Sequence, residues 1–206
     1  MKATMKTLSA ILICCFISTI QMYGENIQRP ESENYVKGVE ALNEGNPEAA
    51  YTYLNAEINE HPDNGYAHCY MALICNFCNN TKLALQALNS SLELIPEADT
   101  EYRSFAHYSR GVLLTNLKMW KRAEADLNEA IRLNPEDVEN YKSRAQLYFE
   151  TERYEESLND LRRALKLDSK ADVNDLMLQL MAVAPTSEFM ERITATYQQL
   201  DQMTIH

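Results

Sequence analysis

The stretch WKRAEADLNEAIRLNP, from Trp120 to Pro135, returns in altered form as YEESLNDLRRALKLDS, from Tyr154 to Ser169. Aromatic, small and leucine residues keep their places in both stretches, and the members of each pair stand 34 residues apart. The matched pairs are Trp120 and Tyr154, Ala123 and Ser157, Leu127 and Leu161, Ala130 and Ala164, and Leu133 and Leu167. A fixed period of this length predicts an array of repeated supersecondary units.

The same template fits twice more towards the N-terminus. Pro62 and Pro96 stand 34 residues apart, and so do Ala50 and Ala84. A small residue recurs in the first half of each repeat, with steps of 34, 39 and 34 residues, at Gly38, Ala72, Gly111 and Ala145. The longer step places five extra residues in the polar run 96–103, PEADTEYR, where a connection between repeats tolerates added length.

Each repeat reads as two amphipathic helices joined by a turn. In the fourth repeat Tyr141, Ala145 and Tyr148 recur at helical spacing before the turn ETER. The second helix is marked by Ser157, Leu161, Ala164 and Leu165. Small residues where the helices cross allow close packing, and the prolines end the second helices because proline cannot continue them.

On these residues the chain resembles tetratricopeptide repeat (TPR) proteins, whose repeat is a 34-residue helix–turn–helix. The resemblance covers 31–169 and implies an all-α, right-handed α-solenoid. It departs from the family pattern at Ser169, which replaces the closing proline, and at Lys118-Met119, which replaces a turn containing glycine. The predicted repeats are 31–64, 65–98, 104–137 and 138–171, followed by a further helix and a capping helix in 172–206.

The first residues are typical of a secretory signal peptide. Lys2 and Lys6 give a basic start, and the apolar run from Leu8 to Ile20 is too short for a membrane-spanning helix. We therefore predict a signal peptide over 1–24, a linker over 25–30 and a periplasmic location. An uncleaved anchor is the alternative. Lipidation of Cys14 or Cys15 is disfavoured because Ile13 precedes the first, Cys14 precedes the second, and apolar sequence continues through Phe16 and Ile17.

The charge of the chain disfavours nucleic acid as a partner. The formal net charge is −11, and loss of the signal peptide removes two further lysines. Such a chain repels polyanions. The sequence contains no Ser/His/Asp grouping, P-loop, Gly-rich nucleotide loop or H-E-x-x-H motif, so we predict no enzyme activity, no cofactor and no small-molecule substrate.

The resemblance implies that the first helices line a concave face that binds a peptide or a partner segment. Aromatic and apolar side chains at these places have the composition of a binding hot spot, although some of them could instead be core. The groove-facing residues carried over are Tyr35, Val39, Tyr66, Leu73, Phe77, Phe105, Tyr108, Val112, Asn116 and Phe149, with Leu42, Asn76, Glu139, Lys142, Gln146 and Glu150 beside them.

One TPR specialisation is excluded by the residues present. Chaperone-binding members hold a C-terminal carboxylate with lysine, arginine and asparagine on the first helices. The corresponding places here carry no cation, so the sequence argues against that role. They are Tyr35, Val39, Tyr70, Phe105 and Ser109.

Two groups of residues raise the question of metal or redox chemistry. Cys75 and Cys78 form a C-x-x-C motif, but it ends a first helix, where the helix dipole opposes a thiolate. We expect Cys75 to be core and Cys78 to be the more exposed thiol. His68 and His107 are repeat-equivalent, and Tyr141 holds the same place in the fourth repeat, which favours a packing role over a metal site.

Together these observations predict a non-enzymatic adaptor that binds a protein or peptide partner in an aromatic groove. The alternative is a self-associating scaffold, a homo-oligomer formed through the groove or through the terminal helix with Phe189 and Tyr197. Thiol-redox or metal chemistry at Cys75 and Cys78 is the third reading.

Overall fold

A computed structural model describes residues 27, 29–184 and 186–204, with side chains described as far as Thr196. All regular structure in these residues is helical, so the all-α class is confirmed. The predicted signal peptide lies outside the described residues. The helices are α1 Glu33–Asn43, α2 Pro47–Glu60, α3 Gly65–Phe77, α4 Thr81–Leu94, α5 Thr100–Asn116, α6 Trp120–Leu133, α7 Val138–Glu150, α8 Tyr154–Leu167, α9 Asn174–Val183 and α10 Ser187–Thr204.

The chain divides into two compact units, Met1–Ser109 and Arg110–His206, here called the N-terminal unit and the C-terminal unit. In the N-terminal unit α1 packs on α2, α2 on α3, and α3 on α4. In the C-terminal unit α6 packs on α7 and α7 on α8, while α9 and α10 both contact α8 and each other. Within each unit, the helices named here that follow one another along the chain are thus neighbours in space, as repeated helix pairs require.

Two glycines allow the two helices of a repeat to approach closely. A Cβ atom on Gly38 would lie 2.7 Å from Cγ of Leu54, and one on Gly111 would lie 2.7 Å from Cγ of Leu127. These distances are shorter than van der Waals contact, so a larger residue would force the helices apart. The recurring small positions in the sequence are therefore crossing points between helices.

Every turn within a repeat uses one residue in the left-handed region. Its φ is +72° at Gly45, 59° at Asn79, 58° at Lys118 and 60° at Glu152. A hydrogen bond from the next residue back to the last turn of the first helix accompanies each one, the geometry of a Schellman motif. These bonds run from the amides of Asn46, Asn80, Met119 and Arg153 to the carbonyls of Ala41, Cys75, Leu114 and Tyr148, at 2.7–2.9 Å.

The residue after each left-handed position is the N-cap of the second helix, and its side chain differs between the two units. The side chains of Asn46 and Asn80 accept hydrogen bonds from backbone amides in the first turns of α2 and α4. Met119 and Arg153 hold the same places before α6 and α8 and make no such bond. The second helices of the N-terminal unit therefore have side-chain caps that α6 and α8 lack.

The five extra residues in 96–103 form helix as well as connection. α5 is 17 residues long and begins at Thr100, whereas α3 and α7 have 13 residues each. Asp99 caps α5, because its Oδ1 accepts a hydrogen bond from the amide of Tyr102 at 3.2 Å. The expectation of a longer connection is corrected accordingly: part of the insertion is an additional turn at the start of α5.

The terminal helices complete the core of the C-terminal unit. Phe189 and Ile193 of α10 are buried against Met177 and Leu180 of α9 and against residues of α8. Phe189 is therefore core, which corrects its predicted role in self-association, and the side chain of Tyr197 lies outside the described part. Leu178 of α9 is 57 % exposed, so one face of this helix is open to solvent.

Candidate partner-binding surfaces

In the N-terminal unit the predicted groove residues fall into two groups. Tyr35, Tyr66, Phe105 and Tyr108 are buried, as is the neighbouring Leu42. Their predicted exposure is corrected: in this structure they are packing residues. The half-buried members are Val39, Leu73 and Phe77, and Asn76 beside them is exposed.

Four buried tyrosines of the N-terminal unit form one aromatic cluster: Tyr35, Tyr66, Tyr70 and Tyr102. The rings of Tyr66 and Tyr102 meet edge to face with centroids 4.8 Å apart, and Tyr35 and Tyr70 lie 6.1 Å apart. The hydroxyl groups of Tyr70 and Tyr102 are 2.9 Å apart and share a hydrogen bond. Burial raises the pKa of the Tyr70 phenol above its ordinary value. The cluster supplies the hydroxyl partner that a buried tyrosine requires.

A charged group closes one side of this cluster. The Tyr66 hydroxyl donates a hydrogen bond to Oδ2 of Asp99 at 3.0 Å. Arg29, which precedes α1, donates from Nη2 to Oε2 of Glu101 at 3.0 Å and from Nε to Oδ2 of Asp99 at 3.4 Å. Burial raises the pKa of Glu101, while the hydrogen bond and charge of Arg29 act in the opposite direction. The guanidinium also lies 4.6 Å from the centroid of the Tyr102 ring.

Sequence reasoning missed Arg29, Asp99, Glu101 and Tyr102 as parts of a site. Arg29 fell in the predicted linker, and the other three fell in the predicted connection between repeats. An aspartate immediately before an amphipathic pattern, with a further acidic residue in the first turn, is a helix N-cap signal, and it could have identified Asp99. Nothing in the period of the repeats brings Arg29 to residues 70 places away.

In the C-terminal unit the predicted groove residues are more polar. Val112 and Phe149 are half-buried and Asn116 is exposed. The Phe149 ring packs on Tyr154, with centroids 5.7 Å apart. The polar neighbours pair along α7: Lys142 with Glu139 at 2.7 Å, and Gln146 with Glu150 at 3.0 Å. Partner binding by any of the groove residues stays a prediction.

Two repeat-equivalent ion pairs join first and second helices in the C-terminal unit. Arg110 donates to both carboxylate oxygens of Asp126 at 2.7 and 2.8 Å. Arg144 does the same with Asp160 at 2.8 Å for both bonds, and its third nitrogen reaches Asn128. Both aspartates are buried. Such two-bond pairs fix geometry as well as charge, so these arginines act within the fold.

The cysteines of the described chain are free thiols in α3 and at its end. Cys69 and Cys75 are buried, and Cys78 is exposed. Burial raises the pKa of Cys69 to about 12, and it raises that of Cys75, with the nearby Cys78 adding to the effect. A raised pKa disfavours the thiolate that redox chemistry needs, which counts against that reading of the C-x-x-C motif.

His68 has a packing contact that its repeat position explains. Its Nε2 lies 2.9 Å from the carbonyl oxygen of Pro62. Tyr141, at the equivalent place in the fourth repeat, donates its hydroxyl to the carbonyl of Pro135 at 3.1 Å. Both side chains therefore tie a first helix to the proline that ends the preceding helix.

Metal sites and membrane spans can be assessed for the described residues alone. Among them, histidine, cysteine, aspartate and glutamate side chains form no group of three or more that could hold a metal ion. Within the same part of the chain, no helix combines the length and the apolar character needed to cross a bilayer.

Comparison with solved structures shows the same fold in three structures of the protein MamA. MamA 41-end from Desulfovibrio magneticus RS-1 matches with a TM-score of 0.66 and 18 % identity, over 83 % of this chain and 93 % of that one. A double mutant of MamA RS-1 matches at 0.65 and 18 %, over 83 % and 94 %. A further crystal structure of MamA matches at 0.65 and 13 %, over 82 % and 97 %. No curated protein matches the sequence.

The family model of the tetratricopeptide repeat matches residues 106–137 and 139–170. These ranges coincide within two residues with the third and fourth repeats predicted from the 34-residue period. The first two repeats have the same helix–turn–helix form, with equivalent turns at Gly45 and Asn79. The chain therefore contains tetratricopeptide repeats, and its fold is the TPR-like array of helix pairs that the sequence predicts.

Proposed function

We propose that this protein is a non-enzymatic adaptor that binds a protein or peptide segment on the first helices of its repeats. One observation carries the proposal: Val39 and Leu73 are repeat-equivalent on α1 and α3, and both remain half-buried. Phe77, one helical turn after Leu73, is half-buried as well. Apolar residues left partly exposed at the same place in successive repeats are typical of a binding surface.

The binding surface of the N-terminal unit is thus smaller than the sequence indicates. It consists of Val39, Leu73 and Phe77, with the exposed Asn76 beside them. Tyr35 on α1 and Tyr66 on α3 are buried, so packing fixes the two helices that present this surface. Helices fixed in this way limit the conformational entropy lost on binding, so more of the interaction energy contributes to affinity.

The partner is proposed to be basic or neutral, and the location periplasmic. The formal net charge of −11 favours encounter with basic segments and repels nucleic acid. The basic start and short apolar run at the N-terminus support export from the cytoplasm.

The test is affinity capture from the native cell envelope with three forms of the chain. Phe77→Asp places a charge on the proposed surface. Tyr51→Asp is the matched control, because Tyr51 is an aromatic residue on a second helix and is 48 % exposed. We expect a partner that the unaltered chain and Tyr51→Asp retain and that Phe77→Asp binds about tenfold or more weakly.

Equal retention by all three forms would refute the proposed surface. If Tyr108 were exposed in the groove, Tyr108→Glu would be the natural test, but it is not a suitable variant. Tyr108 is buried, so a glutamate there would disturb packing before it affected binding.

Self-association is a second candidate function, favoured by the open face of α9. Leu178 and Val183 are among the large apolar side chains that remain exposed. If copies of the chain associate through this face, sedimentation over a dilution series should show a dimer that Leu178→Glu abolishes. A dimer that persists in Leu178→Glu, or a monomer throughout the series, would refute it.

A further inference from the structure

Arg29 makes the kinds of contact by which a protein binds an arginine from another molecule. Its guanidinium contacts three groups near the start of α5: the carboxylates of Asp99 and Glu101 and the face of the Tyr102 ring. Carboxylates match the planar N–H groups of a guanidinium, and an aromatic face attracts its charge. The site therefore combines the two kinds of contact by which proteins recognise arginine.

The site is held in place by bonds that do not involve Arg29. Asp99 accepts hydrogen bonds from the Tyr102 amide and from the Tyr66 hydroxyl, and its side chain is 1 % exposed. Tyr102 is fixed by the Tyr70 hydroxyl and by edge contact with Tyr66. Because Asp99 and Tyr102 are secured by partners other than Arg29, these two walls of the site are organised in advance of its occupant.

The occupant belongs to a short segment outside the helices. Arg29 and Pro30 precede α1, which begins at Glu33, and the Arg29 side chain is 24 % exposed. A residue before proline is biased towards extended backbone. An extended segment that inserts one arginine can be replaced by another extended segment that does the same.

We propose that Tyr66, Asp99, Glu101 and Tyr102 form a binding site for an arginine side chain in an extended segment of a partner protein, with Arg29 as the occupant from the same chain. The proposal rests on the proposed adaptor function and names the chemistry of its partner. A partner segment has to displace Arg29, so the N-terminal segment regulates access to the site.

The charge of the site determines which ligands can replace Arg29. Removing the cation leaves the buried carboxylate of Asp99 without its positive partner, which is unfavourable. An anionic ligand would add repulsion, and an apolar ligand would leave that charge uncompensated. Lysine has one compact ammonium group and lacks the planar, forked set of donors by which a guanidinium contacts two carboxylates while its face stacks on a ring. Arginine satisfies all three contacts.

A matched set of peptides tests the proposal by calorimetric titration. The probe is the peptide ENIQRPES, which copies residues 25–32, and its controls carry lysine or alanine in place of arginine. A tethered occupant competes at an effective concentration of about millimolar, so we expect Arg29→Ala to bind the probe about tenfold or more tightly than the unaltered chain. The lysine peptide should bind at least about fivefold more weakly than the probe.

Two carboxylate variants in the Arg29→Ala background show whether the site itself is responsible. Glu101→Gln removes a charge that contacts the guanidinium and should weaken the probe about fivefold. Glu97→Gln removes the same charge from an exposed residue of the preceding connection and should have little effect. Equal losses in the two variants would mean general attraction to an acidic chain and would overturn the proposal.

Arg29→Gln provides a second form in case Arg29→Ala loses its helical content. Glutamine keeps an N–H donor for Glu101 and removes the positive charge, so it too should bind the probe more tightly than the unaltered chain. If folded Arg29→Gln and the unaltered chain bind the probe equally, Arg29 is a structural residue only. That result would leave the adaptor proposal intact, because its own test depends on Phe77 and a captured partner.

Discussion

The two units stabilise the same helix pair with different chemistry. In the C-terminal unit Arg110 and Arg144 each form a two-bond ion pair with a buried aspartate on the following helix. In the N-terminal unit the equivalent places hold Met71 and Ala87 in one repeat, both buried. In the other they hold Lys37 and Tyr53, where the ammonium lies 5.8 Å from the ring centroid.

The turns within the repeats also differ between the units, and here the N-terminal unit has the more favourable residues. The N-terminal unit has Gly45 and Asn79 at the left-handed positions, residues that tolerate this conformation, and Asn46 and Asn80 as helix caps. The C-terminal unit has Lys118 and Glu152 at the left-handed positions, and its second helices, α6 and α8, lack side-chain caps. Local backbone chemistry therefore favours the hairpins of the N-terminal unit, and long side-chain pairs favour those of the C-terminal unit. One repeat geometry can be stabilised by either route.

The largest expected effect comes from breaking one ion pair. Asp160→Ala leaves the Arg144 guanidinium, which is mostly buried, without its carboxylate, and should destabilise the C-terminal unit by about 2–4 kcal/mol. Urea unfolding followed by the fluorescence of Trp120, the single tryptophan, reports on that unit. Combining Asp160→Ala with Arg144→Met reproduces the Met71 and Ala87 pair and should recover most of the loss. A double variant as unstable as Asp160→Ala alone would contradict the expectation that an apolar pair can replace the ion pair.

The next effect concerns the tyrosine cluster of the N-terminal unit. Tyr70→Phe removes the hydroxyl that pairs with Tyr102 and should destabilise this unit by about 1–2 kcal/mol. Cys69 is a reporter here, because its buried thiol, with a pKa of about 12, reacts when the unit opens. Its labelling rate, measured by mass spectrometry, should rise about five- to thirtyfold. Tyr51→Phe, at an exposed ring, should leave the rate unchanged; an equal rise there would count against the cluster.

A smaller effect should follow from adding a side-chain cap to α6, in the C-terminal unit. Met119 has φ −88° and ψ 57°, close to the −91° and 70° of Asn80, which caps α4. Met119→Asn should therefore stabilise the C-terminal unit by about 1 kcal/mol. Asn80→Ala should destabilise the N-terminal unit by a similar amount, measured through Cys69. No gain in the Trp120 unfolding midpoint would show that another interaction already satisfies the start of α6.

The smallest expected effect comes from the left-handed turn. Lys118→Gly removes the steric cost of φ 58° but adds freedom to the unfolded chain. The balance should stabilise the C-terminal unit by about 0.5–1 kcal/mol. Gly45→Ala is the reverse change, because Gly45 has φ +72° and open space around it. It should destabilise its own unit through backbone strain alone, and an unchanged stability there would refute the strain argument.

The sequence predicts the repeats well because their period depends on local contacts. Gly38 and Gly111 must be small where Leu54 and Leu127 approach, and this requirement is visible in a single chain. The candidate site was predicted less well. Helical spacing places Tyr35 and Tyr66 on first helices, but their exposure depends on neighbours far away in the sequence. Tyr66, for example, donates its hydroxyl to Asp99, which caps the extra turn at the start of α5.

The extra turn at the start of α5 can be recognised in other sequences from the spacing of their repeats. The side chains that contact Arg29 lie at or next to the residues that lengthen α5, the first helix of the third repeat. They are Asp99, Glu101 and Tyr102. A chain with a uniform 34-residue step would lack the residues that form this turn, and with them the proposed arginine site. The 39-residue step between Ala72 and Gly111 is therefore a spacing signature that can be counted without a structure. Chains that combine it with an arginine shortly before the first helix are the ones to test with an arginine peptide.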